Sequence, residues 1–93
     1  MGKTKTVKYK PEDIKNLPND KPVVYKILTN NNKNNYTGIA KKGRVQERIL
    51  EHLDEIPGAK VKIEQMSSIA EAAKKESNII SRSKPKYNVK GKK

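Results

Sequence analysis

Along the chain the spacing of apolar positions changes character several times. From Lys21 to Thr29 it alternates, with Val23, Tyr25 and Ile27 on one side and Val24, Lys26 and Leu28 on the other, which predicts a β-strand. Asn30 to Asn35 (NNNKNN) holds no hydrophobe and several residues that tolerate left-handed backbone, so it reads as a hairpin loop. Tyr36 to Ala40 is then the returning strand, antiparallel because so short a loop permits nothing else. From Arg44 the period becomes helical. Val45, Ile49, Leu53 and Ile56 form one stripe, stopped by Pro57-Gly58. Val61 and Ile63 predict a third short strand that ends at Met66. Ser68 and Glu71 have capping-box spacing, which predicts a second helix from Ile69 to about Ser81, with Pro85 as its exit.

The order β-β-α-β-α predicts an α+β fold: a small three-stranded, mainly antiparallel sheet flanked by two helices. Residues 21–89 form the domain in this reading. Residues 1–20 carry five lysines and two prolines, with only Val7, Tyr9, Ile14 and Leu17 to bury. They are expected to be a basic N-terminal extension with one helical turn after Pro11. Residues 90–93 are expected to be a basic tail.

Charge narrows the partners. Twenty-two Lys and Arg against ten Asp and Glu give +12, and a density of that kind selects polyanions, nucleic acid first. The chain has no cysteine and one histidine, which excludes a disulfide framework, a thiolate zinc site, a cysteine nucleophile and a multi-histidine metal site. No apolar run approaches the ~18 residues of a membrane span. The expectation is therefore an intracellular protein, cytoplasmic or nucleoid-associated, with no membrane partner.

Glu76 is the most informative single position. Ile69, Ala72, Ala73, Ile79 and Ile80 define the apolar arc of the second helix, and Glu76 points into its middle. A carboxylate there is paired with a base in an internal salt bridge, protonated, or bound to a metal ion. Arg44, Arg48 and His52, spaced by four, make a row beside the first helix's apolar stripe. That row is either a solvated helix face or a site facing a phosphate. Tyr25 and Tyr36 lie on the two hairpin strands, as half-buried core residues or as phenols brought together on one side of the sheet. Gly38 inside the second strand marks a bulge or a close backbone approach. Lys41 just beyond it is either solvated or in contact with phosphate.

Taken in order, these positions resemble a GIY-YIG nuclease domain over Lys21 to Val89. Val23-Val24-Tyr25 stands where that family has GIY, Tyr36-Thr37-Gly38 stands for YIG, and ten residues separate the two tyrosines. Arg48 with His52 four positions on matches the helix motif, and Ala40-Lys41 also looks like the family. The stretch from Glu76 to Pro85-Lys86-Tyr87-Asn88 is similar to the catalytic glutamate and closing Pro-x-Tyr-Asn of excision-repair nucleases and small stand-alone members. Val23 replaces the first glycine, and two extra residues lie between Gly38 and Arg48.

The resemblance implies a metal-dependent endonuclease that hydrolyses phosphodiester bonds in DNA, double-stranded DNA favoured. The alternative is a module of the same fold that binds nucleic acid and has lost activity. It further implies that Glu76 holds one divalent cation, Mg²⁺ or Mn²⁺, as its single protein ligand. Tyr25 would orient or deprotonate the attacking water, Tyr36 would contact the scissile phosphate or share the proton relay, and His52 would poise the phenol. Arg48 would stabilise the charge that develops on phosphorus, and Asn88 would fix the local geometry. Gly38, Lys41, Arg44 and Lys86 would lie against the nucleic acid. Targeting would fall to a protein partner or to a homodimer.

Overall fold

The computed structural model describes residues 4–53 and 55–83. Its sheet has four strands: β1 (Thr4–Lys8), β2 (Val23–Leu28), β3 (Asn34–Ala40) and β4 (Lys60–Gln65), in the spatial order β1-β4-β2-β3, with every pairing antiparallel. Among the described residues three helices complete the α+β fold: α1 (Pro11–Ile14), α2 (Val45–Glu51) and α3 (Ile69–Ser83).

The strand register sorts side chains onto two faces. Tyr25 stands opposite Gly38 and Ile63, Ile27 opposite Tyr36 and Val61, and Val23 opposite Ala40, so all of these share one face. With Ile14 and Leu17 from the α1 region, Val45 and Ile49 of α2, and Ile56, they make one continuous core. Burying such a cluster supplies the main drive to fold, about 25 cal/mol per Å² of apolar surface removed from water. The other face carries Val24, Lys26 and Leu28 of β2 and Lys62 and Glu64 of β4, and α3 lies over it, packed on β2 and β3.

Two expectations change. The sheet has a fourth strand, and residues 4–20 belong to the fold instead of extending from it. β1 pairs along the whole of β4, from Thr4 opposite Glu64 to Lys8 opposite Lys60. Ile14 and Leu17 are fully buried, and the Tyr9 hydroxyl donates to the Ile56 carbonyl at 2.9 Å. The physical reason is that β1 is an edge strand held by backbone hydrogen bonds. Its TKTVK side chains are exposed except for half-buried Val7, so the segment carries no burial pattern and its lysines guard the edge. The helical turn after Pro11 forms as expected.

Smaller differences lie at element ends. β3 starts at Asn34, two residues before the expected strand, and the register slips between Ile27 and Leu28, with Asn35 as the extra residue. The Asn35 amide donates to the Pro57 carbonyl at 2.9 Å. Asn32 takes the left-handed conformation that the asparagine-rich loop was expected to use, with φ 67°. α2 closes at Glu51, so Leu53 and Ile56 reach the core from the turns that follow.

Candidate active site

Tyr25 and Tyr36 share the core face because β2 and β3 pair residue for residue from Val23 opposite Ala40 to Ile27 opposite Tyr36. Their rings lie 6.1 Å apart, tilted by 34°. Gly38 makes this possible. A Cβ at that position would stand 2.6 Å from the Tyr25 hydroxyl and 2.9 Å from Cε2 of Tyr36, so no larger residue leaves both rings in place. The close backbone approach expected at Gly38 is therefore with these phenols. Gly38 is buried beneath them, which corrects its expected place against nucleic acid.

His52 completes the cluster. It caps the C-terminal end of α2, and its Nε2 lies 2.8 Å from the Tyr25 hydroxyl, while its ring lies 4.7 Å from that of Tyr36. Its Nδ1 is buried and has no hydrogen-bond partner among the described residues. Burial lowers the imidazole's pKa, and Arg48 lowers it further against the opposing pull of Glu55 and Glu51, so the ring is neutral at pH 7. Burial also pushes the Tyr25 phenol far above the ordinary tyrosine range. The Tyr36 phenol and the Glu76 carboxylate act the same way, while Arg48 opposes them. Tyr36 moves up too, by burial and then by Glu76, again opposed by Arg48.

Arg48 and Glu76 thus act on the same two phenols from different helices. Arg48 is exposed and pairs loosely with Glu51, at 3.6 Å. A contact of that kind is worth less than about 1 kcal/mol and leaves the guanidinium free to meet an anion. Glu76 is half-buried on α3, and burial raises its carboxyl pKa. No ion pair to it occurs among the described residues, so the internal salt bridge is absent there. The apolar arc around it is narrower than the sequence suggested. Ala72 is buried and Ile79 and Ile80 are half-buried, but Ile69 and Ala73 are exposed.

Lys41, Arg44 and Arg48 line a groove of about 330 Å³ with Ile39, Ala40 and Ile69, where the end of β3 meets the starts of α2 and α3. Arg44 pairs with Glu47 at 2.9 Å, both side chains being more than half exposed. Asn88 and Lys86 lie outside the described residues. Among the described residues no three His, Cys, Asp or Glu side chains gather as a multidentate metal site. A hydrated Mg²⁺ needs no such cage, since it keeps most of its waters and takes one or two carboxylates. A half-buried Glu76, unpaired among the described residues and within electrostatic reach of both phenols, suits that mode of binding.

Asn19 is the structural contributor that sequence reasoning missed. Its Oδ1 accepts from the backbone N–H groups of Val45 and Gln46, at 2.9 and 3.3 Å, and its carbonyl accepts from Gly43 N–H at 2.7 Å. It therefore caps α2 and holds the helix that carries Arg48 and His52. Capping residues are sought just before a helix, and this one comes from 26 positions upstream. Comparison with protein-family models, curated proteins and solved structures finds no match to this chain.

Proposed function

We propose that the chain is a metal-dependent phosphodiesterase that cleaves DNA in the manner of GIY-YIG nucleases. One observation carries the reading: a phenol hydrogen-bonded to a neutral imidazole lies beside a second phenol, with an arginine and a carboxylate, unpaired among the described residues, acting on both. Structural cores have little reason to collect these groups, whereas in-line phosphoryl transfer needs a proton acceptor, a charge stabiliser and a metal ligand around one phosphorus. The +12 net charge supports a polyanionic substrate.

The proton route follows from the pKa directions. Tyr25 holds its proton too firmly to serve as a standing phenolate. Its side chain is fully buried, so half-buried Tyr36 takes the proton of the attacking water and passes its own inward to Tyr25. The Tyr25 proton moves on to Nε2 of His52, 2.8 Å away, in the tautomer that leaves Nε2 unprotonated. Arg48 leaves Glu51 to meet the charge growing on the phosphoryl oxygens. Lys41 and Arg44 hold flanking phosphates in the groove beside Arg48. Glu76 would hold the Mg²⁺ or Mn²⁺, which when bound polarises the phosphate and stabilises the leaving oxygen. Among the described residues no helix is long and apolar enough to cross a membrane. A DNA substrate places the protein inside the cell, in the cytoplasm or on the nucleoid, with targeting left to a protein partner or a homodimer.

The test is plasmid cleavage with and without Mg²⁺, on the wild type and on Glu76→Gln. The variant is expected to lose cleavage by at least two orders of magnitude and to keep or improve DNA binding, because a negative charge beside the phosphate is gone. It should also fold, and at pH 7 be no less stable than the wild type. A carboxyl whose pKa is raised by folding favours the folded state below its unfolded value and loses that contribution as pH rises through the folded one. Wild-type protein that binds plasmid and leaves it intact with either metal would replace this reading with the binding module.

A further inference from the structure

The face of the sheet away from the tyrosines carries a second cluster that the proposed chemistry does not use. A groove of about 300 Å³ between α3 and the sheet is lined by Lys26 of β2, Lys62 and Glu64 of β4, Thr4 of β1, and Lys75 and Arg82 of α3. Strand alternation and helix period explain the gathering. Lys26 and Lys62 stand directly opposite each other, and Lys75 and Arg82, seven positions apart on α3, share the helix side turned to them. Among the described residues four cations thus surround a single carboxylate, and the ion pair of Glu64 is with Lys75, at 3.1 Å.

Like charges directly opposite on paired strands destabilise a sheet, so this groove carries an uncompensated positive potential. Lys26 responds to it. Burial and then Lys62 and Lys75 lower its pKa against the pull of Glu64, the response of an ammonium that lacks enough counter-charge. A phosphate diester would relieve that repulsion. One half-buried and three exposed cations at an open groove suit a chain of singly charged phosphates, which needs neither a closed pocket nor bidentate geometry.

We propose that this groove is a second backbone-binding site for nucleic acid, separate from the Lys41-Arg44-Arg48 groove, in which Lys26, Lys62, Lys75 and Arg82 hold phosphates and Glu64 limits the affinity. The choice of nucleic acid as occupant rests on the reading of the chain as a DNA-binding protein, but not on its being a nuclease.

Fluorescence anisotropy of the full chain with a labelled 20-base-pair duplex, in EDTA and over a range of salt, tests it without any cleavage. Each phosphate-binding cation removed lowers the slope of log K against log salt by about one. Lys62→Gln/Arg82→Gln, both at exposed positions, should therefore flatten the slope by about two and weaken binding at least tenfold at low salt. Glu64→Gln should tighten binding several-fold, a direction that damaged folding would not produce. Lys10→Gln/Lys15→Gln removes the same charge from the α1 region and should cost clearly less. Equal losses in the two double variants, or no tightening in Glu64→Gln, would overturn the proposal, as would a wild type that does not bind the duplex. A wild type that binds as described but never cleaves plasmid would leave this site standing and remove only the nuclease reading.

Discussion

The two faces of the sheet solve opposite problems with polar side chains. On the α2 face, Tyr25, Tyr36 and His52 sit against a hydrophobic core. Burial drives the pKa values of both phenols up and that of the imidazole down, so all three are neutral at pH 7. On the α3 face, Lys26, Lys62, Lys75 and Arg82 surround an open groove. Alternation along β2 alone, Tyr25 inward and Lys26 outward, is enough to separate a region suited to moving a proton from one suited to holding charge. Neighbouring residues acquire different chemistry because Tyr25 is fully buried and Lys26 only partly so.

Gly38→Ala should disturb that separation most severely. The new methyl would meet the Tyr25 hydroxyl at 2.6 Å and force the phenol off His52. We expect a loss of about 1–3 kcal/mol of stability from overpacking, and near-complete loss of cleavage. Duplex affinity should stay within about twofold, since the cations of both grooves are elsewhere. Thermal unfolding, cleavage and anisotropy together check this, and an equal loss of affinity would mean that the two faces are not independent.

A smaller effect concerns His52. It is the only histidine, so its imidazole resonances in proton NMR read its titration directly. Its pKa should lie below the usual ~6.5, and Arg48→Gln should move it upward, because burial and Arg48 are what lower it. A histidine held below its unfolded pKa contributes stability that is complete above that value and is lost as pH falls through the folded one. Stability should therefore decline as pH drops below ~6.5, and His52→Gln should flatten that decline. A normal pKa that Arg48→Gln does not move would mean that the α2 face is wetter than its packing implies.

The smallest effect belongs to the surface of α2. Arg44 and Glu47 are both more than half exposed, so Glu47→Gln should change stability by about 0.5 kcal/mol or less while freeing Arg44 for phosphate and slightly tightening DNA binding. Denaturant titration and anisotropy resolve the two.

How much of the site could be read in advance depended on how local its causes are. The strand carrying Tyr25, the strand carrying Tyr36 and the helix carrying Glu76 were legible, because period two and period 3.6 are written into a few consecutive residues. β1 was not legible, since an exposed edge strand is specified by the backbone of its neighbour and TKTVK shows no apolar alternation. Nor was the Asn19 cap, which acts on a helix that begins 26 residues later.

Residue type and short-range spacing were thus sufficient for the strong positive charge, the absence of cysteine chemistry, the hairpin and the positions of the polar groups along each element. Long-range packing was needed for the rest. It set Gly38 to serve the tyrosines and not a ligand, brought the His52 ring to the Tyr25 hydroxyl, and left Glu76 without an ion-pair partner among the described residues. It also made Lys26 and Lys62 face each other beneath Lys75 and Arg82. Each of these depends on which strand lies beside which, and on how far water is excluded between them. A chain settles both only when its distant segments pack together.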